Sequence, residues 1–120
     1  MVNIKDKILN FAKEIYNTDA EYLWKSSPEN AVLRHRCNRK WYAVIIKVSK
    51  NRIGLRGDGT VWVIDVKTTS DIIEQLGETV GFLPGYHMNK KHWISILLDG
   101  SVPLKVVCRF IETSYGLTVA

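Results

Sequence analysis

Residues 31–66 read AVLRHRCNRKWYAVIIKVSKNRIGLRGDGTVWVIDV, and this stretch decides the fold. Trp41–Val48 is dense in β-branched and aromatic residues, which fit a pleated surface. With Ala31–Cys37 before it, it predicts a hairpin about the polar joint Cys37-Asn38-Arg39-Lys40, where Asn38 tolerates positive φ. Ile53–Arg56 and Thr60–Val66 predict a second strand pair about Gly57-Asp58-Gly59. The alternation in Val61-Trp62-Val63-Ile64-Asp65-Val66 is incomplete, so this strand belongs mid-sheet, covered along much of its length.

On the N-terminal side, Ile4, Ile8, Leu9, Ala12, Ile15 and Tyr16 recur at helical spacing. They predict an amphipathic helix over 3–16, capped by Asn3, with Asp6 three residues on. Residues 20–30 connect it to the sheet, with Trp24 as an anchor. On the C-terminal side, Thr68-Thr69-Ser70 offers caps for a two-turn helix that Gly77 stops. Val80–Tyr86 predicts a short strand that Pro84 confines to an edge or a strand end. Trp93–Leu98 is a further strand. Pro103 opens a last helix with Leu104, Val107, Cys108 and Ile111 on one face and Tyr115 continuing it. The order is helix, three or four strands, helix, two strands, helix. That pattern predicts an α+β domain: a roughly five-stranded antiparallel sheet with helices on one face.

The 120 residues fit one domain, spanning 1–120, large enough to bury a core without metal or disulfide staples. No apolar run approaches the ~18 residues of a membrane span. The charged first residues do not resemble a signal peptide. Cys37 and Cys108 are therefore expected as reduced, buried thiols in a cytoplasmic, monomeric protein with no membrane partner.

The net charge of +5 is unevenly placed. Between Asn30 and Gly57 stand Arg34, Arg36, Arg39, Lys40, Lys47, Lys50, Arg52 and Arg56, with no Asp or Glu. Local asymmetry of this kind attracts polyanions, although Lys and Arg on surface strands also serve solubility and blunt sheet edges. Enzyme signatures are missing: no GxSxG, no P-loop, no GxGxxG at a helix start, no HExxH. His35, His87 and His92 match no metal-ligand spacing with the cysteines, and a structural role suits them. The expectation is a non-catalytic protein with no metal and no cofactor. Trp24, Trp41, Trp62 and Trp93 suit core or half-buried sheet positions. Trp41 after Arg39-Lys40 and Trp93 after Lys90-Lys91-His92 could alternatively stack on bases.

Four blocks carry a family likeness: Arg34–Ala43, Val61–Ile64, Gly85–Trp93, and Leu98–Pro103 with Ser114-Tyr115. In these the chain resembles the YjbR/MmcQ family of small bacterial proteins. One departure is Leu104, where the family often carries an acidic residue. The resemblance implies a fold similar to CyaY-like and secretion-chaperone-like domains. It also implies DNA binding through a double wing of hairpins. A frataxin-like iron role would need an acidic ridge, and the charge excess here is basic.

On this reading Arg34, Arg36, Arg39, Lys40, Lys90 and Lys91 neutralise phosphates, and Asn38, Asn89 and His92 reach base edges. One alternative is a protein-interaction module that takes a partner at the sheet face or edge. Another is small-molecule binding at the loop 85–93. There the residues could equally be spent inside the loop, with Asn89 forming a turn, His92 bonded to backbone and Trp93 in the core.

Overall fold

The computed structural model describes residues 3–119. Helix α1 (Ile4–Tyr16) starts as expected: Asn3 is extended and its Oδ1 accepts the Asp6 amide. It ends at Asn17, whose left-handed backbone returns its amide to the last carbonyls. Strands β1 (Ala31–Arg34) and β2 (Trp41–Ser49) form the first hairpin. A 3-10 turn at Lys50–Ile53 leads to β3 (Thr60–Lys67). Helix α2 (Ser70–Leu76), strands β4 (Phe82–Pro84) and β5 (Trp93–Leu97), and helix α3 (Leu104–Thr118) complete the chain. The sheet order is β1-β2-β3-β5-β4, antiparallel throughout. The α+β class, the element order and the five strands are those the sequence predicts.

The two sheet faces bury different sets. Ile45, Ile64, Val66, Ile94 and Ile96 pack with Ile8 and Ala12 of α1 and Val107 and Ile111 of α3. Val32, Val44, Ile46, Val48, Val61, Val63 and Leu97 form a second cluster on the face without helices. A bulge in β2 lets one strand serve both. Arg34 pairs with Trp41 and Leu33 with Ala43, so Tyr42 is the extra residue. Trp41 therefore joins Val44 on the helix-free side, while Tyr42 and Ala43 both join the helix-side core.

Ser114 pins α3 to the sheet. Its hydroxyl donates to the Tyr42 carbonyl at 2.6 Å and accepts the Lys67 amide at 2.9 Å. Both strand groups lie where the helix covers them, so this one side chain satisfies polar backbone that water cannot reach.

Five local expectations change. Ala31–Cys37 is a strand only to Arg34, because His35 and Lys40 close the joint by a backbone hydrogen bond. The positive φ falls on Arg39 rather than Asn38, whose amide instead ties the joint to the Thr118 and Val119 carbonyls. Ile53–Arg56 is not a strand: the 3-10 turn and a glycine-rich loop join β2 directly to β3. Val80–Tyr86 shortens to the three residues of β4, at the sheet edge where Pro84 is tolerated. Of the two thiols expected to be buried, Cys37 is exposed, and Cys108 is half-buried, its thiol pushed up by burial.

Candidate binding site on the helix-free face

One cross-strand row spans all five strands on the helix-free face. Val32 lies opposite Val44, Val44 opposite Asp65, Asp65 opposite Ser95, and Ser95 opposite Leu83. Strand alternation puts Asp65 here, because Val61, Val63 and Asp65 share one side of β3 while Ile64 and Val66 share the other. Asp65 is 1% exposed. Ser95, fully buried, donates its hydroxyl to Asp65 Oδ1 and accepts the Tyr86 amide at 2.9 Å. Among the described residues Oδ2 takes no hydrogen bond. Burial pushes the Asp65 carboxyl up to about 7, against the pull of Ser95 and the charge of Lys90.

Above this dyad opens a cavity of about 500 Å³. Trp24 and Trp41 wall it and meet edge to face at 6.1 Å. Tyr86, His87 and Met88 line it beside Asp65, and His87 holds a left-handed φ of 61° with its ring 4.1 Å from that of Tyr86. Farther along β2 come Ile46, Val48 and Ser49, with Arg52 from the 3-10 turn and Lys47, Ser27 and Asn30 nearby. The cavity thus has an aromatic and carboxylic end, and an end with hydroxyls and the Arg52 guanidinium.

The loop 85–93 divides in two. Tyr86–Met88 face the cavity. The rest holds the loop: Asn89 Oδ1 accepts the Lys91 amide, the Asn89 carbonyl accepts the His92 and Trp93 amides, and Lys90 Nζ donates to the Gly85 carbonyl. The His92 carbonyl accepts the Thr68 amide. Gly85 can be nothing larger, because a Cβ there would stand 2.8 Å from the Trp93 carbonyl oxygen. The expected turn role of Asn89 is present, whereas among the described residues His92 bonds only through its main chain with an exposed side chain, and Trp93 is half-buried rather than in the core.

The basic residues do not form one uninterrupted patch. The register pairs Ala43 with Val66 and Lys67 with Trp93, so joint 35–40 and loop 85–92 leave the sheet at the same end. Lys50, Arg52 and Arg56 lie at the opposite end. At the first end, Glu21 takes Arg34 at 3.2 Å and Arg39 at 3.1 Å. Arg34 also lies 5.8 Å from the Trp41 ring. Arg36, Lys40 and Lys91 are exposed. Lys47 pairs with Glu29. The outer edge of β1 is partly closed, since Glu21 and Val32 exchange backbone hydrogen bonds.

His35 has a different place. It is 1% exposed, with its ring 4.2 Å from Tyr115 and 5.2 Å from Tyr42. Thr118 donates to the Ser114 carbonyl, so at 2.6 Å from Thr118 the His35 Nε2 must carry the proton. Burial pushes this imidazole below its ordinary range, and nearby Lys40 adds to the push. Among the described residues no three of His, Cys, Asp and Glu gather as a metal site, and no helix is long and apolar enough to cross a membrane.

Asp65 belongs to no motif in the sequence, and Arg52 stands out there only as part of the basic run. The available signal is a lone carboxylate in the apolar run Val61–Val66, since a charge in a strand buried on both faces has a cost that calls for a reason.

Several known proteins resemble this chain, most of them over nearly its whole length. The uncharacterized protein YyaQ of Bacillus subtilis is 39% identical over 114 residues, covering 95% of this chain and 97% of that protein. The uncharacterized YjbR of Escherichia coli K12 is 32% identical over 57 residues, 47% of this chain and 48% of that one. A Pseudomonas syringae protein solved by crystallography superposes with a TM-score of 0.91 at 38% identity, covering 95% of this chain and 97% of that one. A Deinococcus radiodurans crystal structure shares the fold at a TM-score of 0.72 and 22% identity, covering 99% of this chain and 80% of that one. The YjbR family model matches residues 13–117, and the chain belongs to the YjbR family.

Proposed function

We propose that this protein is a small-molecule binding module whose ligand sits in the cavity above Asp65 and Ser95. The observation that carries this reading is the buried carboxyl itself. A mid-sheet position flanked by valines and isoleucines would be filled most stably by another aliphatic side chain. Asp65 there leaves one oxygen without a protein partner at the floor of an aromatic-walled cavity. Ligand sites have this form: apolar walls, a few convergent polar groups and a titratable group shifted by burial. The reading is binding without catalysis, since Ser95, the hydroxyl bonded to Asp65, is fully buried. The test is an NMR titration of 15N-labelled protein with single compounds from several classes: amines, aromatic acids, sugar phosphates, nucleotides and fatty acids. At least one class should move the indole N–H signals of Trp24 and Trp41 while leaving those of Trp62 and Trp93 in place. If every class leaves Trp24 and Trp41 unmoved, the reading fails.

A second reading rests on a separate observation, the emergence of both hairpin tips at one end of the sheet. Three strand spacings separate them, about 14 Å. Two basic tips so spaced suit a double wing on DNA, with Arg36, Lys40 and Lys91 toward phosphates. Fluorescence anisotropy at several salt concentrations tests it. Each phosphate contact should add about −0.9 to the slope of log K against log salt. No binding at low salt ends this reading.

A further inference from the structure

We infer, resting on the cavity reading, that the ligand is a nucleoside phosphate, its base against Asp65 between aromatic rings and its phosphate toward Arg52. Three features of the cavity select this chemistry together. The first is shape and stacking. Trp24, Trp41 and Tyr86 put π surface around one end, which favours a flat ring over an aliphatic chain. The second is the floor. A carboxyl recessed beneath that ring space accepts from the N–H groups on a base edge, and in its protonated form it also donates to a ring nitrogen. Ser95 holds Oδ1 in place, so the carboxyl is oriented before a ligand arrives. An aliphatic ligand would bury that oxygen unpaired, which the site penalises.

The third feature is charge at the far end. The cavity's other charged group is the Arg52 guanidinium, beside Ser49, Ser27 and Asn30, since the Lys47 ammonium lies 5.4 Å from the Trp62 ring on the helix-covered face. Lys47 is engaged by Glu29, while Arg52 is exposed at the cavity's edge. A guanidinium with hydroxyl and amide neighbours complements a phosphate. Ring end and cation end are set along β2, between Trp41 and Ser49, so the ligand must be elongated and chemically two-ended. A simple aromatic amine matches the floor but meets the Arg52 guanidinium at the rim. An inorganic anion matches the rim but leaves the rings and Asp65 unused. A nucleoside phosphate satisfies both ends, and the volume falls within the ~300–1,000 Å³ of ordinary ligand sites.

A free mononucleotide and the terminal nucleotide of a single strand present the same chemistry. The experiment uses the labelled protein with GMP, AMP, CMP and UMP, the four nucleosides, inorganic phosphate and a 5′-phosphorylated tetranucleotide. At least one mononucleotide should move the Trp24 and Trp41 indoles saturably, about tenfold more tightly than its nucleoside or phosphate alone. Asp65→Asn should reorder the preference among the four bases by at least about fivefold, an effect that a purely structural role for Asp65 would not produce. Arg52→Ala should erase the advantage of nucleotide over nucleoside and leave nucleoside affinity unchanged. Tighter binding of the tetranucleotide than of every mononucleotide would keep the chemistry and assign its source to a strand. If nucleotides leave both indoles unmoved while another compound class moves them, the nucleotide assignment falls and the cavity reading survives. Silence from every class overturns both.

Discussion

His35 and Asp65 are each 1% exposed, and each is biased by burial toward its neutral form, yet the fold uses them differently. His35 is wedged against Tyr42 and Tyr115, and its proton is spent on Thr118 at the end of α3. It closes the contact between the first hairpin and the last helix. Asp65 sits on the other face, held by Ser95 at one oxygen beneath a cavity. On the helix-covered side His35 joins two elements through Nε2 and leaves Nδ1 without a partner among the described residues. The helix-free side carries a polar group whose position no joint between elements explains.

That contrast breaks first under truncation. Ile64, fully buried between sheet and helices, should lose about 3–5 kcal/mol as Ile64→Ala, because close-packed surroundings leave a void. Ile46, at 8% exposure on the cavity wall, should lose about 2 kcal/mol as Ile46→Ala, since space and water already adjoin it. Urea denaturation of both variants checks the difference. Equal losses would mean that the helix-free face is packed as tightly as the other.

Asp65→Asn comes next and should raise stability at high pH. A folded-state carboxyl near 7 stabilises the protein when protonated, and that contribution disappears as pH rises from about 4 through about 7. At about 1.4 kcal/mol per pH unit over about three units, the ionised carboxyl costs on the order of 4 kcal/mol by pH 8. The amide keeps the shape and an acceptor for Ser95 without the charge. Denaturation at pH 8 should find the variant more stable, and a destabilised variant would mean that the carboxylate is satisfied by the fold itself.

The two buried groups also oppose each other in acid. His35, with its imidazole lowered, contributes stability above its unfolded value near 6.5 and loses it as pH falls toward its folded value. In the same range the folded state gains a proton at Asp65 that the unfolded chain lacks. The two slopes have opposite signs, so these two groups partly offset each other below pH 6.5. Asp65→Asn should expose the His35 slope, stability rising with pH by up to about 1.4 kcal/mol per unit. His35→Gln, which keeps a donor for Thr118, should expose the opposite slope. Profiles that stay flat in both variants would place neither group's titration in this window.

Much of this architecture is written locally in the sequence, and the exceptions have physical causes. Helix α1 is legible down to its cap because Asn3 and Asp6 act within one turn. Strands β2, β3 and β5 are legible because β-branched runs are long there. The stretch Ile53–Arg56 misleads, because its apolar residues Ile53 and Leu55 pack onto the second cluster from a loop and not from a ladder. The left-handed residue at the first joint is Arg39, because Asn38 is drawn to the end of α3 some 80 positions away, a long-range bond that turn preference cannot anticipate. The site was half visible. Tyr86–Met88 fall in the block with the strongest family likeness, whereas Asp65 and Arg52 meet them only through strand register and the path of the 3-10 turn. The basic run was visible as charge, but its division between two ends of the sheet, and the capture of Arg34 and Arg39 by Glu21, arise from folding.

The smallest expected effect on stability bears on that capture. Glu21 pairs two arginines at partly exposed positions, so Glu21→Ala should cost only about 0.2–1 kcal/mol. Its electrostatic consequence is larger. The substitution releases Arg39, the more exposed of the two partners, and removes a carboxylate paired at the first hairpin tip. If that tip meets phosphates, DNA affinity should rise, and the salt slope should steepen by up to about 0.9 for each arginine freed. Arg34, packed near Trp41 and 23% exposed, should contribute less than Arg39 at 59%. Anisotropy titrations of Glu21→Ala, with and without Arg39→Ala, separate the two. An unchanged slope in Glu21→Ala removes the 35–40 tip from any nucleic-acid interface, and the cavity on the helix-free face then stands as the feature that function has to explain.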